Sequence, residues 1–251
     1  MLRKRIISVL MINDGVLFRT KNFNPDYRYT LNFVDSWNID EIVMLDITRK
    51  KTIESENNFF KIVETVASKC FVPMAVGGGI RSIKDVSKFM DSGADKVVIN
   101  TGAIRDPSII TEISKSYGMQ SLVLSVDFKK VSTEKNRFEV FSDFGSNPTG
   151  LDPLSWCKKG ENYGAGEIII NSIDRDGSLM GYEIDLCKLL SKELTIPILI
   201  SGGAGNWKHF EEGFVKGNAD AVCTSNIYHF TETSINSAKK YLKSKNISIR
   251  T

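Results

Sequence analysis

The sequence predicts an α/β protein, a (β/α)8 TIM barrel built from two half-barrel repeats. Three observations predict it: eight short apolar, β-branched runs recur at regular intervals, most are separated by helical patterns, and the second half of the chain echoes the first. The runs lie at residues 6–11, 42–45, 72–76, 97–99, 122–126, 168–170, 196–200 and 221–223. Each is continuous rather than alternating, as in parallel strands buried on both faces. Eight such strands alternating with helices can close into a barrel.

The helical segments carry one apolar stripe each. Residues 59–68 place Phe59, Ile62, Val63, Val66 and Ala67 on one face, and residues 83–90 do the same with Ile83, Val86, Phe89 and Met90. That spacing lays a helix against a sheet. Pro107 and Pro153 sit where helices are expected to start, because a missing N–H costs nothing there. Two connections are long, 13–29 after the first strand and 129–150 after the fifth, and long loops of a barrel overhang its catalytic face as lids. Within the second, Arg137–Ser142 is expected to form a short hairpin strand.

The repeat is specific. Pro73-Met-Ala-Val-Gly-Gly-Gly79 matches Pro197-Ile-Leu-Ile-Ser-Gly-Gly203 at an offset of 124, and Glu41-Ile-Val-Met-Leu-Asp46 matches Glu167-Ile-Ile-Ile-Asn-Ser172 at an offset of 126. Two halves of four βα units explain this, whereas a solenoid needs more repeats of shorter period. No Gly/Ser or Pro-rich linker divides the halves, so residues 1–251 are read as one domain.

Composition narrows the function classes. The net charge of +3 over 251 residues is too weak a bias for nucleic acid or a membrane surface. The four cysteines are scattered without a C-x-x-C pair, which points to free thiols in a reducing, cytoplasmic setting. The basic start resembles a signal peptide in charge only; its apolar run stops at Asn13-Asp14-Gly15, and no run reaches the ~18 residues of a membrane span. His209 and His229 lack a second ligand at metal spacing, so no metal is expected. Trp37, Trp156 and Trp207 read as packing residues, and the charge of the basic tail 239–250 as solvent exposure. No dinucleotide fingerprint is present, and no cofactor is expected.

Two glycine loops carry the first chemical signal. Val76-Gly-Gly-Gly-Ile80 and Ile200-Ser-Gly-Gly-Ala204 each follow a strand and open a helix. Glycine lets backbone N–H groups approach an anion, so Gly78, Gly79, Gly202 and Gly203 are candidate phosphate binders. Asn100, Thr101, Thr224 and Ser225 end the following strands and could add side-chain donors. Two such sites across one mouth imply an elongated substrate phosphorylated at both ends.

The residues also carry a resemblance. Arg3-Lys-Arg-Ile-Ile7, Leu45-Asp-Ile-Thr48, Val76-Gly-Gly-Gly-Ile80, Gly93-Ala-Asp-Lys-Val97, Ile99-Asn-Thr101, Gly164-Ala-Gly-Glu-Ile168, Ser172-Ile-Asp-Arg-Asp-Gly177 and Ser201-Gly-Gly-Ala-Gly205 resemble the cyclase subunit family of imidazole glycerol phosphate synthase. The resemblance runs from residue 1 almost to the C-terminus, and the segment 172–177 is its most specific piece. It implies a lyase-type synthase subunit of a glutamine amidotransferase complex: a glutaminase partner supplies ammonia, which is added to a bis-phosphorylated intermediate of histidine synthesis. It also implies two aspartates, at the ends of strands 1 and 5, as general acid and base.

Here strand 5 ends in Asp127, but strand 1 ends in Met11, and the internal repeat aligns these two positions. A thioether exchanges no proton, and Asp14 lies three residues further on in a turn. Further departures are Arg19 for a lysine, a first loop shortened between Phe23 and Tyr29, and Asn171 for a threonine. Asp46, Asp174 and Asp176 remain, Asp46 on the substrate side with Arg19 and Asn171, and Asp176 beside Asp127 in the catalytic set. At the opposite end, Arg5, Glu41, Lys96 and Glu167 each open a strand. The resemblance implies an ammonia gate there, with Asp95 at the glutaminase interface. Altered chemistry above a retained gate resembles the cyclase-like proteins of bacterial surface-polysaccharide (lipopolysaccharide, O-antigen) clusters. That likeness implies a third, ATP-using amidotransferase and an acetamidino sugar as product. The alternatives are an authentic histidine-pathway cyclase and a non-catalytic scaffold.

Overall fold

A computed structural model describes residues 3–29, 39–132, 137–225 and 235–250. Trp37 and His229 therefore lie outside the described residues. In chain order the strands are β1 (Arg5–Asn13), β2 (Val16–Lys21), β3 (Asn24–Tyr29), β4 (Glu41–Asp46), β5 (Met74–Gly77), β6 (Lys96–Ile99), β7 (Leu122–Ser132), β8 (Arg137–Ser142), β9 (Asn147–Pro148), β10 (Glu167–Ser172), β11 (Ile198–Ser201) and β12 (Ala221–Thr224). The helices are α1 (Ile53–Ala67), α2 (Ile83–Asp91), α3 (Thr101–Arg105), α4 (Ser108–Tyr117), α5 (Pro153–Tyr163), α6 (Ile184–Glu193), α7 (Trp207–Val215) and α8 (Ile235–Ser244).

Eight strands close the barrel in parallel, in the order β1-β4-β5-β6-β7-β10-β11-β12 and back to β1. All eight coincide with the apolar runs expected from sequence. Alternation along each strand then sorts the side chains. Outward residues such as Ile6, Ile42, Val97 and Ile168 pack under the helices in one large core. Inward residues, among them Ile7, Val43, Val98, Ile169 and Cys223, form a separate apolar layer inside the barrel.

That parity has a functional consequence. Counting by twos up β1 gives Arg5, Ile7, Val9 and Met11, and β4 gives Glu41, Val43 and Leu45; β6 with the next residue gives Lys96, Val98 and Asn100, and β10 gives Glu167, Ile169 and Asn171. Each inward column thus starts on a charge at the N-terminal end and crosses apolar side chains. It ends at the mouth, four to six positions on, roughly 13–20 Å along the strand.

The half-barrels share one register. Met11 pairs with Leu45 as Asp127 pairs with Asn171, and Leu45 pairs with Gly77 as Asn171 pairs with Ser201. This is the alignment of Met11 with Asp127 that the repeat implied. The halves also match in a feature only partly foreseen. The strand at Arg137–Ser142 forms as expected and pairs antiparallel with β7. The connection after β1 is not a plain loop either, because β2 and β3 fold into an antiparallel ribbon on β1. The reason is local: Asp14 and Gly15 both adopt positive φ (51° and 73°), the two-residue turn that reverses a hairpin.

Helix ends follow their caps. Thr52 and Ser55 form a reciprocal capping box, so α1 begins at Ile53, six residues before the apolar stripe became visible. Pro153 opens α5 behind the Asp152 cap, and Pro107 immediately precedes α4. The basic tail corrects one expectation. Lys239 is not explained by exposure; its Nζ donates to Asp40 Oδ1 at 2.6 Å with both side chains largely buried.

Candidate functional site at the barrel mouth

Asp127 stands at the inward end of β7. Its carboxylate accepts from Asn100 Nδ2 at 2.6 Å and from Ser125 Oγ at 3.2 Å, with Asn171 as a third side-chain partner. Burial outweighs these bonds and pushes the carboxyl up to about 7, and the neighbouring Asp176 charge adds to the rise. A group of that pKa holds or releases a proton near neutral pH, which is what general acid–base chemistry asks of it. Asn171, expected on the substrate side, is thus a direct partner of this acid. Asn100 spends its amide on Asp127 and leaves its own Oδ1 buried with no partner among the described residues.

Met11 faces the same mouth, 9% exposed. Its Sδ accepts from Thr20 Oγ1 at 3.3 Å, and Thr20 also hydrogen-bonds Asp176. Burial raises the Asp176 carboxyl above its ordinary range, against the opposing pull of the Phe23 N–H, Thr20 and Arg19. The structure thereby brings Asp176, from the segment 172–177, to the Met11 side of the mouth. Asp14 is not part of this cluster; its backbone N–H donates to Thr48 Oγ1 at 2.8 Å.

The other candidates divide. Asp46 is engaged, paired to Lys51 Nζ at 2.6 Å and accepting from Thr48 N at 3.0 Å. Lys51 also donates to Gly78 O at 2.9 Å, tying the first glycine loop to β4. Arg19 pairs with Asp26 on the β2–β3 ribbon, beside Asp176. Asp174 accepts from Lys130 N at 2.9 Å. Gly78 and Gly79 adopt φ of 123° and 78°, and a Cβ at Gly78 would lie 2.5 Å from Asp46 O. Gly202 and Gly203 repeat that geometry at 87° and 105°.

The two symmetry-related phosphate candidates sit in unequal surroundings. Gly78, Gly79, Asn100 and Thr101 line a cavity of about 620 Å³ that also contains Asp127. Gly202, Gly203, Thr224 and Ser225 line one of about 50 Å³. Four cations line the larger cavity, Arg49, Lys51, Arg81 and Arg105, and sequence reasoning had singled out none of them. The run Arg49-Lys-Lys51, directly after the mouth segment Leu45–Thr48, was the available signal.

At the opposite end the four strand-opening charges form a closed ring. Arg5 meets Glu41 at 2.7 Å and Glu167 at 2.8 Å, and Lys96 meets Glu41 at 2.8 Å and Glu167 at 2.9 Å. Burial works against the Arg5 guanidinium, but Glu167 and Glu41 outweigh it and hold its pKa above the ordinary value. Asp95 has a structural explanation of its own: its Oδ2 accepts from Met74 N at 2.8 Å, tying β5. Its repeat counterpart Asp220 ties Ile198 of β11 in the same way at 3.0 Å. His209 accepts from Gly205 N through Nδ1 at 3.0 Å, at the start of α7.

The parallel eight-stranded barrel carries polar chemistry at the C-terminal ends of its strands and a mutually paired charge layer at the other end. Comparison with known families adds one finding: residues 7–234 match the histidine biosynthesis protein family, and since the match covers most of the barrel, the chain belongs to that family.

Proposed function

We propose that this chain is a cyclase-type barrel subunit that receives ammonia from a partner glutaminase at its N-terminal face. In our reading it delivers that ammonia to an acceptor other than the histidine intermediate. The family is one of barrel isomerases and cyclases, so the starting point is an enzyme fold used for phosphorylated substrates. One contrast supports the finer reading: the four-charge ring is complete and mutually paired, whereas strand 1 ends above it on Met11, where the cyclase resemblance implies a carboxylate.

Between ring and mouth lies one apolar layer containing Ile7, Val43, Val98 and Ile169. Neutral ammonia crosses such a layer at far lower cost than ammonium, because a charge would be desolvated there. At the mouth, Asp127 would trade the protons that accompany amination, with Asn100, Ser125 and Asn171 holding it in place. The system that best fits an ammonia-receiving barrel with altered acceptor chemistry is acetamidino-sugar assembly for surface polysaccharide, with a third, ATP-using amidotransferase as the acceptor's enzyme.

A second reading, the authentic histidine-pathway cyclase, is favoured by the placement of Asp176 on the Met11 side, which leaves two carboxyls with raised pKa facing one mouth.

The test is co-expression with the glutaminase encoded beside this gene. A complex is expected. In it, Lys96→Ala should leave glutamine hydrolysis running while glutamine-dependent product formation falls, and free ammonium should bypass part of the defect. Absence of a complex at micromolar concentrations, with the neighbouring amidotransferase also present, sinks the conduit reading. Conversion of the histidine intermediate with ammonium salts is expected to run ~10²–10⁴-fold below that of ordinary family members, the usual cost of losing one acid–base group. An ordinary rate would favour the second reading.

A further inference from the structure

The two glycine loops are fastened to the helices that follow them by one geometry built from two chemistries. At the offset of 124 that relates the loops, Arg81, Ser82 and Asp85 correspond to Gly205, Asn206 and His209. In the first half Ser82 caps α2, its Oγ accepting from Asp85 N at 3.3 Å. The Asp85 carboxylate reaches back and accepts from Ser82 N and Arg81 N, both at 3.0 Å. In the second half Asn206 caps α7, its Oδ1 accepting from His209 N at 3.2 Å. His209 Nδ1 reaches back and accepts from Gly205 N at 3.0 Å. Each side chain in the first helical turn thus ties down the residue before the cap, and with it the end of the glycine loop.

The difference lies in what a proton does to each tie. An imidazole nitrogen accepts a hydrogen bond only while it is unprotonated. With Nδ1 accepting, Nε2 carries the ring hydrogen; it lies 3.4 Å from Asn206 Nδ2, outside the usual hydrogen-bond range. The ring is seated on the turn behind it: a Cβ at Gly181 would lie 3.3 Å from His209 Cδ2, and Gly181 N donates to Gly203 O at 2.7 Å. A proton on Nδ1 converts the acceptor into a donor that faces the Gly205 N–H. It also places a cation at the N-terminal end of α7, where the helix dipole is already positive. A carboxylate keeps its charge through this range, since the free side chains titrate near ~3.9 for Asp and ~6.5 for His.

The surroundings of His209 oppose the added charge. Burial lowers its proton affinity most; Glu212 works the other way, and Lys208 and Arg175 act with burial. Glu212 and Lys208 belong to α7 itself. Arg175 comes from the segment 172–177 and is paired with Glu183 at 3.0 Å. Glu211, also on α7, is turned to α8, where it accepts from Tyr241 Oη. The folded protein therefore holds this proton less tightly than a free imidazole. The tie contributes fully above pH ~6.5 and is lost as pH falls through the lower folded value.

We propose that the second half of the mouth carries a proton-sensitive fastening that the first half lacks: neutral His209 holds the loop 202–205 to α7, and protonation of its ring releases that loop while Asp85 keeps the first loop in place. Acid then loosens one side of the mouth before the other. The inference needs no ligand at either loop and no partner, so it stands apart from the proposed function.

Amide hydrogen exchange of the full chain, read residue by residue by NMR alongside the titration of the His209 ring, tests it. Between roughly pH 7.5 and roughly pH 5 the protection factors of Gly205 and His209 are expected to fall about tenfold, the size of a lost cap, in step with the ring. Those of Arg81 and Asp85 should change by less than about threefold over the same range. His209→Gln keeps a neutral acceptor at every pH and should hold Gly205 at its neutral-pH protection throughout, whereas His209→Ala should leave it low throughout. An equal fall at Arg81, a fall that persists in His209→Gln, or unchanged protection of Gly205 at roughly pH 5 overturns the proposal. The comparison of the two loops within the wild-type chain decides the matter even if a variant fails to fold.

Discussion

The two ends of this barrel solve opposite problems with the same residue types. At the N-terminal end, two cations and two carboxylates are buried together and each is paired twice, so every charge is compensated. At the mouth, Asp127 is buried without a cation partner and its carboxyl rises to about 7, while Asn100 keeps an unmet acceptor. Compensation leaves the first end a mutually paired ring with no charge to spare. Incomplete compensation makes the second a place where protons can move and a ligand is welcome. The difference teaches that charge count alone does not mark a site; what marks it is charge left unsatisfied by the fold.

Removing Glu41 attacks the compensated end and carries the largest expected effect. Its side chain is 2% exposed and pairs with both Arg5 and Lys96. Glu41→Ala leaves two buried cations sharing Glu167 and should cost ~3–5 kcal/mol in urea unfolding. A loss under ~1 kcal/mol would mean that water already reaches the ring.

Asp127→Asn tests the mouth and should act in the opposite direction. The folded-state pKa of about 7 stands above the ordinary carboxyl value of ~3.9, so the folded protein holds the proton more tightly. The stability this provides is complete below pH ~4 and is lost as pH rises to about 7. A neutral amide avoids that loss. Thermal melts should show the variant on the order of 5 °C above wild type at pH 8, with the gain vanishing near pH 4. A pH-independent difference would remove the case for a buried, titrating Asp127.

The smallest effect sharpens the boundary between the ends. Asp95→Ala and Asp220→Ala each delete one side-chain bond to a strand N–H and should cost ~1 kcal/mol apiece. Similar losses, with glutaminase affinity unchanged in the Asp95 variant, would assign Asp95 to the fold. A selective loss of partner binding would assign it to the interface.

Much of this was legible in the chain. Continuous apolar runs located all eight barrel strands because a strand buried on both faces has no polar face to show. The repeat located Met11 opposite Asp127 because two halves with one backbone must share one register. The strand-opening charges were visible for the same reason: with a side-chain period of two, Lys96 and Asn100 must share a face, as must Glu167 and Asn171. The ribbon after β1 was half legible, since Asp14-Gly15 marks a turn, but whether the chain after it pairs back is not written in a turn.

Sequence by itself determined the barrel, its two-fold repetition and the pairing of Met11 with Asp127 as equivalent positions, because these follow from local periodicity and identity. Only the tertiary structure decided which groups meet at the mouth. Phe23 reaches Asp176 across 153 residues of sequence through a backbone N–H that any residue but proline could supply, so no residue type announces the contact. The same holds for Thr20 between Met11 and Asp176, and for Arg49 behind Phe23. The raised proton affinity of Asp127 is likewise a property of burial, which arises only when the strands have closed around it.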